Sequence, residues 1–145
     1  MVKSKAKVIP RKKVLVVEDE PLLASMYMTV LRQVQADIYG ATTRQEGERI
    51  IARILPDLVL LDLMIPSNTT KDLNTDFHDP VGLKLLTELR KNPATKKTKV
   101  IILSNLDADE QRKHAMALGA IDYLVKSSLA PSAVVARVKS VLAEL

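Results

Sequence analysis

Residues 56–66, PDLVLLDLMIP, contain an unbroken apolar run at 58–61 that stops at Asp62. A strand that is apolar at every position is typical of a parallel sheet covered by helices on both faces, because neither face meets water. Similar runs occur at 14–17 (VLVV) and 100–103 (VIIL). The three runs therefore predict buried strands, each followed directly by a polar residue.

Helical patterns separate these strands. Apolar residues recur at a spacing of three or four in five segments, and Pro residues or capping boxes mark several of their starts. The five expected helices begin at Pro21, after Thr43 (with Glu46 completing a capping box), at Val81, at Asp107 (with Glu110) and at Pro131. Weaker strand patterns lie at 38–41 and 121–125. With right-handed crossovers, this alternation predicts an α/β fold: a doubly wound sheet of about five parallel strands with five helices. By analogy with the flavodoxin-like arrangement of such sheets, we expect the strand order 2-1-3-4-5.

Composition limits the classes of protein that fit. The chain has 145 residues, no cysteine and a net charge of +5, and six cations without any acid lie in residues 1–13. We therefore expect a basic tail at 1–11, a nearly neutral domain at 12–145, and no disulfide or cysteine-ligated metal. With one Phe, three Tyr and no Trp, nucleic-acid binding is disfavoured. The absence of a long apolar segment predicts no membrane span and a cytoplasmic location.

Chemically active side chains follow four of the predicted strands. They are Glu18 and Asp19 after the first strand, Asp62 after the third, Ser104 after the fourth and Lys126 after the fifth. In an open parallel sheet, ligands bind beyond the carboxyl ends of the strands, so these side chains are expected to converge there.

Three carboxylates in one place favour a hard cation such as Mg²⁺, which prefers oxygen ligands and keeps several waters. Lys126 can then pair with an anion, and Ser104 can donate a hydrogen bond to it. The residues therefore suggest metal-assisted phosphoryl transfer, with Asp62 as the nucleophile.

The sequence resembles the receiver domains of two-component response regulators. The resemblance is carried by VLVVEDEP (14–21), PDLVLLDLMIP (56–66), VIILSN (100–105) and GAIDYLVK (119–126), in the family's order and spacing. It implies that Asp62 accepts a phosphoryl group from a sensor histidine kinase, a phosphotransfer protein or a small phosphodonor. The domain would then catalyse its own phosphorylation and dephosphorylation without being an enzyme in the usual sense.

The resemblance also implies a role for each site residue. Asp19 would bind Mg²⁺ directly, Glu18 mainly through water, and Asp62 and the Met64 backbone carbonyl would be further ligands. Lys126 would contact the phosphoryl group.

Ser104 would close on the phosphoryl group, and Tyr123 occupies the position of the family's switch aromatic. The face formed by the fourth helix, the fifth strand and the fifth helix would then change shape for a downstream protein target. Such a change is compatible with a phosphorylation-dependent dimer.

The sequence departs from the family pattern at three places. Ser127 stands where proline is usual, and Asn105 stands where a smaller residue is usual. An insertion at about 67–80, SNTTKDLNTDFHDP, replaces a tight turn. It is interpreted either as a loop that partly covers the pocket or as a tolerated insertion without a role. The resemblance also makes Met64 and Leu106 candidates for tuning phosphoryl hydrolysis.

Other functions remain as alternatives. Asp19 alone would serve equally well as a helix cap, and Tyr123 as ordinary packing. A degenerate receiver that acts as a constitutive protein-interaction module is the main competitor. A flavodoxin-like electron carrier lacks its phosphate loop, and a nucleotide hydrolase lacks its glycine-rich motif. A DNA-binding regulator is disfavoured because no helix-turn-helix pattern follows the last helix.

Overall fold

The structure is a computed structural model that describes residues 10–68 and 79–145. Most of the basic tail and residues 69–78 of the insertion lie outside the described residues, so the expectations for them remain predictions. Within the described ranges, no helix is long and apolar enough to cross a membrane.

Five parallel strands form the centre of the molecule. They are β1 (Lys12–Val17), β2 (Ala36–Ala41), β3 (Leu58–Leu61), β4 (Lys99–Ser104) and β5 (Asp122–Val125). Their order in the sheet is β2-β1-β3-β4-β5, which confirms the predicted topology. All four residues of β3 are buried, as expected for the central strand of a sheet covered on both faces.

Five helices cover the two faces of this sheet. They are α1 (Pro21–Val30), α2 (Arg44–Ile54), α3 (Val81–Lys91), α4 (Asp109–Ala117) and α5 (Pro131–Ala143). Residues of α1 and α5 pack in one core with Val14, Leu60 and Ile101. Residues of α2, α3 and α4 pack on the other face with Leu15 and Leu61. Alternate residues of each central strand thus serve opposite cores, as the pleat requires.

The structure confirms one of the predicted helix caps and contradicts another. Thr43 caps α2, as predicted, because its hydroxyl accepts a hydrogen bond from the Glu46 N–H (3.0 Å). The predicted capping by Asp107 is wrong: α4 begins at Asp109, its N-cap is Ala108, and no side chain caps it. The Asp107 carboxylate instead pairs at 3.1 Å with Arg112, which lies five residues further along the chain in α4.

The α4 helix is weakly docked on the sheet. Only Gln111 and Ala115 of its nine residues are buried, and the half-buried Leu118 lies just beyond the helix. Little apolar surface therefore holds α4 on the sheet.

Gly82 sets how closely α3 approaches the loop after β3. A Cβ atom at this position would lie 2.4 Å from the Asp62 carbonyl oxygen and 2.5 Å from the Leu63 Cα. The Gly82 N–H also donates to the Leu63 carbonyl at 2.9 Å. Since both neighbours are backbone atoms, a side chain here can be accommodated only by moving the segment that carries Asp62.

Replacing Gly82 with alanine should therefore destabilise the fold by about 1–3 kcal/mol, the usual cost of overpacking. Gly47→Ala is the matched control, because Gly47 is also a buried helical glycine but its Cβ would meet the nearest atom, Leu85 Cδ2, at an ordinary 3.5 Å. Urea unfolding of both variants tests this. Equal stabilities for the two would contradict the close approach.

Candidate phosphoryl-transfer site

The pairing of the strands brings the chemically active residues to one edge of the sheet. Val17 pairs with Leu61, and the N–H of Asp62 donates to the Val17 carbonyl at 3.1 Å. Ser104 pairs with Val125, so Lys126 leaves the sheet next to it. The side chains expected to converge therefore line one cleft of about 430 Å³.

A cluster of three carboxylates lies at the floor of this cleft. One oxygen from each of Glu18, Asp19 and Asp62 lies within 4.8 Å of the others. Glu18 and Asp62 are buried, whereas Asp19 is exposed. Asp19 does not cap α1, because Glu20 does: the Glu20 carboxylate accepts hydrogen bonds from the N–H groups of Leu22 (3.2 Å) and Leu23 (2.8 Å). Asp19 is thus left to face the cleft.

Lys126 neutralises part of this charge. Its Nζ donates to Glu18 Oε1 at 2.5 Å and to Asp62 Oδ2 at 2.7 Å, and its side chain is only 7% exposed. The other oxygen of Asp62, Oδ1, accepts from the Ser104 hydroxyl at 3.1 Å and from the Met64 N–H at 3.0 Å. Both oxygens of Asp62 are therefore held by donors that fix the orientation of the carboxylate.

The electrostatics divide the two buried carboxyls. Burial raises the pKa of Glu18 to about 8, and the neighbouring Asp62 adds to this shift against the opposing effect of Lys126. Burial acts in the same direction on Asp62, but its interactions with Glu18 and Lys126 outweigh it and hold its pKa below the usual value. These opposite shifts favour the ionised form of Asp62 and the protonated form of Glu18.

The Lys126 ammonium stays charged despite its burial. Burial lowers its pKa, but the charges and hydrogen bonds of Asp62 and Glu18 outweigh this effect and raise it. The pKa of Asp19 is also raised, first by partial burial and then by the charge of Asp62.

The donor set of the cleft fits a hard divalent cation. Three carboxyl groups share this cleft with the Lys126 ammonium, so full ionisation of all three would leave an excess of negative charge. Glu18 Oε2 is buried without a hydrogen-bond partner among the described residues. A cation bound by carboxylate oxygens would satisfy that atom and relieve the repulsion. Met64 also lines the cleft, next to these carboxylates.

A chain of hydrogen bonds leads from Asp62 towards α4 and β5. The Ser104 hydroxyl donates to Asp62 and accepts from the Leu106 N–H at 3.2 Å. The Leu106 carbonyl in turn accepts a hydrogen bond from the hydroxyl of Tyr123, which is buried. Tyr123 is thus connected to the site by hydrogen bonds. The sequence linked Tyr123 to the site only through the family resemblance.

Arg112 holds the far end of this chain. Its guanidinium lies 4.6 Å from the centre of the Tyr123 ring and donates to the Tyr123 carbonyl at 3.2 Å. Sequence analysis did not single out Arg112. A basic residue within the predicted fourth helix carries no local signal that it contacts a residue of β5.

The two single-residue departures from the family pattern meet in the structure. The Ser127 N–H donates to Asn105 Oδ1 at 3.1 Å. No peptide bond between described residues is cis, so the Lys126–Ser127 bond is trans.

The fold and the site together define a class: a doubly wound parallel α/β domain with an acidic cleft and a buried lysine at the carboxyl edge of its sheet. Residues 14–139 match the family described as the response regulator receiver domain. This chain belongs to that family, as the resemblance predicted.

Several response regulators are similar to this chain. The phosphate regulon transcriptional regulatory protein PhoB of Escherichia coli (strain K12) is 30% identical over 136 residues, covering 90% of this chain and 52% of that protein. The transcriptional regulatory protein BaeR of Escherichia coli O6:H1 is 32% identical over 133 residues, covering 90% and 48%. The chain therefore spans about half the length of the curated relatives it matches.

Among solved structures, the BeF3-activated N-terminal receiver domain of Klebsiella pneumoniae RstA superposes with a TM-score of 0.73 at 29% identity. The superposition covers 90% of this chain and 98% of that one. The likeness therefore extends over nearly the whole of that receiver domain.

The raised pKa of Glu18 predicts a pH-dependent stability in the absence of divalent cations. Glu18 keeps its proton up to about pH 8 in the folded protein but loses it near pH 4.5 when unfolded. Its contribution to stability should therefore fall as the pH rises between these values. In EDTA, Glu18→Gln should flatten this part of the profile of unfolding free energy against pH, measured with urea.

Glu48→Gln is the control for this measurement, because Glu48 pairs with Arg44 on α2, outside the acidic cluster. It should leave the slope of the parent protein unchanged. A Glu18→Gln protein with the parent's slope would show that Glu18 is not the group responsible.

Proposed function

We propose that this receiver domain takes a phosphoryl group onto Asp62 in a Mg²⁺-dependent reaction and thereby switches a protein-binding face formed by α4, β5 and α5. The donor is a sensor histidine kinase or a phosphotransfer protein, and the setting is the cytoplasm. The observation that carries the proposal is the buried contact of Lys126 Nζ with Asp62 Oδ2 at 2.7 Å, inside a cluster of carboxylates.

Asp62 acts as the nucleophile. Its lowered pKa keeps it ionised at neutral pH, and its backbone is fixed by the hydrogen bond from its N–H to Val17 and by the close approach of Gly82. A carboxylate oxygen attacks phosphorus, and the bond from phosphorus to the nitrogen of the donor breaks as the new O–P bond forms. The donor nitrogen retains the electron pair and takes up a proton.

Lys126 and Ser104 then contact the phosphoryl group on Asp62. Before transfer, the Lys126 ammonium contacts Asp62 Oδ2, and it is close enough to pair with an oxygen of the phosphoryl group afterwards. The Ser104 hydroxyl, which donates to Oδ1 before transfer, can then donate to a second phosphoryl oxygen. Both donors are in place before transfer, so little reorganisation is needed when the charge arrives.

Glu18, Asp19 and Asp62, with the Met64 carbonyl, would hold Mg²⁺ in this cleft. Asp19 would bind it directly and Glu18 mainly through water. When bound, the cation supplies charge neutralisation that lets a phosphoryl dianion approach three carboxylates.

The signal leaves the site through Ser104. Because Ser104, Leu106 and Tyr123 form one chain of hydrogen bonds, a shift of the Ser104 hydroxyl towards a phosphoryl group changes the contacts of Tyr123. The sparse packing of α4 makes this helix the element most easily displaced. The relatives' names describe transcriptional regulators. We assign the face of α4, β5 and α5 to a downstream protein target or to a phosphorylation-dependent dimer.

Intact-mass spectrometry after incubation with phosphoramidate and MgCl₂ tests the acceptor. We expect one phosphoryl group on the parent protein, none in EDTA and none on Asp62→Asn. Asp57→Asn is the matched control, since Asp57 lies at the opposite end of β3 and should leave phosphorylation unchanged. A parent protein that gains no mass would favour the constitutive interaction module, and a gain in Asp62→Asn would place the acceptor elsewhere.

Hydrogen exchange with and without beryllofluoride and Mg²⁺ tests the switch. We expect exchange to change across residues 106–125 in the parent protein and in Ser104→Thr, which keeps the hydroxyl. Ser104→Ala should still bind beryllofluoride but lose this response, because the link from Asp62 to Leu106 is missing. The same response in Ser104→Ala as in the parent would contradict the route through Ser104.

A further inference from the structure

The side chain of Asn105 bridges the two loops that flank the acceptor. Asn105 directly follows Ser104, and Ser127 directly follows Lys126. The Ser127 N–H donates to Asn105 Oδ1 at 3.1 Å, although both residues are exposed. The ladder between β4 and β5 ends at the pair of Ser104 and Val125, so this bond extends the connection beyond the end of the sheet.

The backbone conformation explains why Ser127 needs an acceptor. Residues Lys126–Ser128 form a single 3-10 turn whose N-cap, Val125, offers no side-chain acceptor. The first N–H groups of any helical turn have no partner within the turn. The Asn105 oxygen therefore plays the part of a capping residue, supplied by a different loop.

The bond depends on both positions at which single residues depart from the family pattern. A proline at position 127 would have no N–H to donate. A small side chain at position 105 would have no oxygen to accept. The two departures are thus the two ends of one contact.

This turn carries Lys126, whose ammonium contacts Glu18 and Asp62. A lysine has a flexible four-carbon stem, so the place of its charge depends on where its backbone is held. The hydrogen bond from the Leu129 N–H to the Lys126 carbonyl, at the end of the turn, is long at 3.4 Å, and Ser127 and Ser128 are exposed. The bond to Asn105 therefore adds a restraint near the start of an exposed turn.

We propose that Asn105 is a positioning residue for Lys126: by accepting the Ser127 N–H, it holds the turn so that the ammonium stays at the acceptor carboxylate. The proposal rests on the proposed function, because its consequence is faster phosphoryl transfer to Asp62. Asn105 lines the same cleft, and its Oδ1 accepts from the Ser127 N–H.

Two substitutions separate the acceptor oxygen from the shape of the side chain. Asn105→Leu keeps the shape and removes the acceptor, whereas Asn105→Asp keeps an oxygen and is studied at high salt to screen its added charge. Asn92→Leu is the matched control: Asn92 Oδ1 also accepts a backbone N–H in an exposed loop, that of Ala94 at 2.9 Å, but after α3 and before β4, at the other edge of the sheet.

The first measurement is hydrogen exchange at the Ser127 amide, followed by NMR. We expect faster exchange in Asn105→Leu than in the parent protein, and parent-like exchange in Asn105→Asp and Asn92→Leu. Unchanged exchange in Asn105→Leu would overturn the bridge itself. This measurement needs no phosphorylation, so it stays informative even if the proposed function fails.

The second measurement is the rate of phosphorylation by phosphoramidate. Asn105→Leu should slow it by about fivefold, within the range that loss of one hydrogen bond produces, and Asn92→Leu should leave it unchanged. In a Lys126→Ala background, Asn105→Leu should have no further effect, because the lysine it positions is gone. Where Lys126→Ala is too slow to time, the affinity for beryllofluoride with Mg²⁺ replaces the rate.

Equal slowing by Asn105→Leu with and without Lys126 would overturn the positioning role, since the residue would then act by another route. An unchanged rate in Asn105→Leu would overturn it as well. Absence of phosphorylation in the parent protein would instead count against the proposed function.

Discussion

Two buried carboxyl groups, those of Glu18 and Asp62, share one ammonium at the edge where β1, β3 and β5 end. Removing such charges from water is costly unless they are paired, and here the pairing is incomplete because Asp19 adds a third carboxylate. Burial, together with the charge of Asp62, raises the pKa of Glu18, and Glu18 Oε2 has no hydrogen-bond partner among the described residues. The three carboxyl groups thus offer oxygen ligands of the kind that a hard cation prefers.

Several contacts around the cleft hold its charged residues in position. The hydrogen bond from Asp62 to Val17 fixes the acceptor's backbone, and Glu20 caps α1 so that Asp19 can face the cleft. On the other side, Lys126 begins a short 3-10 turn whose next two residues are exposed. Asp62 is thus held through its backbone and its carboxylate, whereas Lys126 is held through its two ion pairs and this turn.

The sheet and the residues of the cleft could be predicted because their signals are local. Runs such as 58–61 and 100–103 are apolar at every position, which is a property of single segments, whereas the order of the strands is expected by analogy with the flavodoxin-like arrangement. Position at a strand end is also local, so Asp62, Ser104 and Lys126 could be identified before their contacts were known.

What could not be predicted depends on the choice between competing contacts, some of them local and some between distant segments. Asp107 has the spacing of a helix cap but pairs with Arg112, and Glu20, not Asp19, caps α1. The cation–π contact of Arg112 with Tyr123 and the bond between Asn105 and Ser127 join residues from different loops and elements. Each competes with an equally plausible local choice, and only the packed structure decides between them.

The close packing at Gly82 has a consequence for how the chain can change in length. The Gly82 N–H donates a hydrogen bond to the Leu63 carbonyl. The carbonyls of Pro66 and Ser67 accept hydrogen bonds from the N–H groups of Arg44 and Gln45 at the start of α2. Both ends of the intervening segment are therefore anchored to the body independently of what lies between them. Residues added there cost little beyond the entropy of closing a longer loop. The segment between Ser67 and Pro80 is accordingly a suitable insertion site. Evolution, or an engineer who adds a reporter domain, can lengthen the chain there while Asp62 keeps its place.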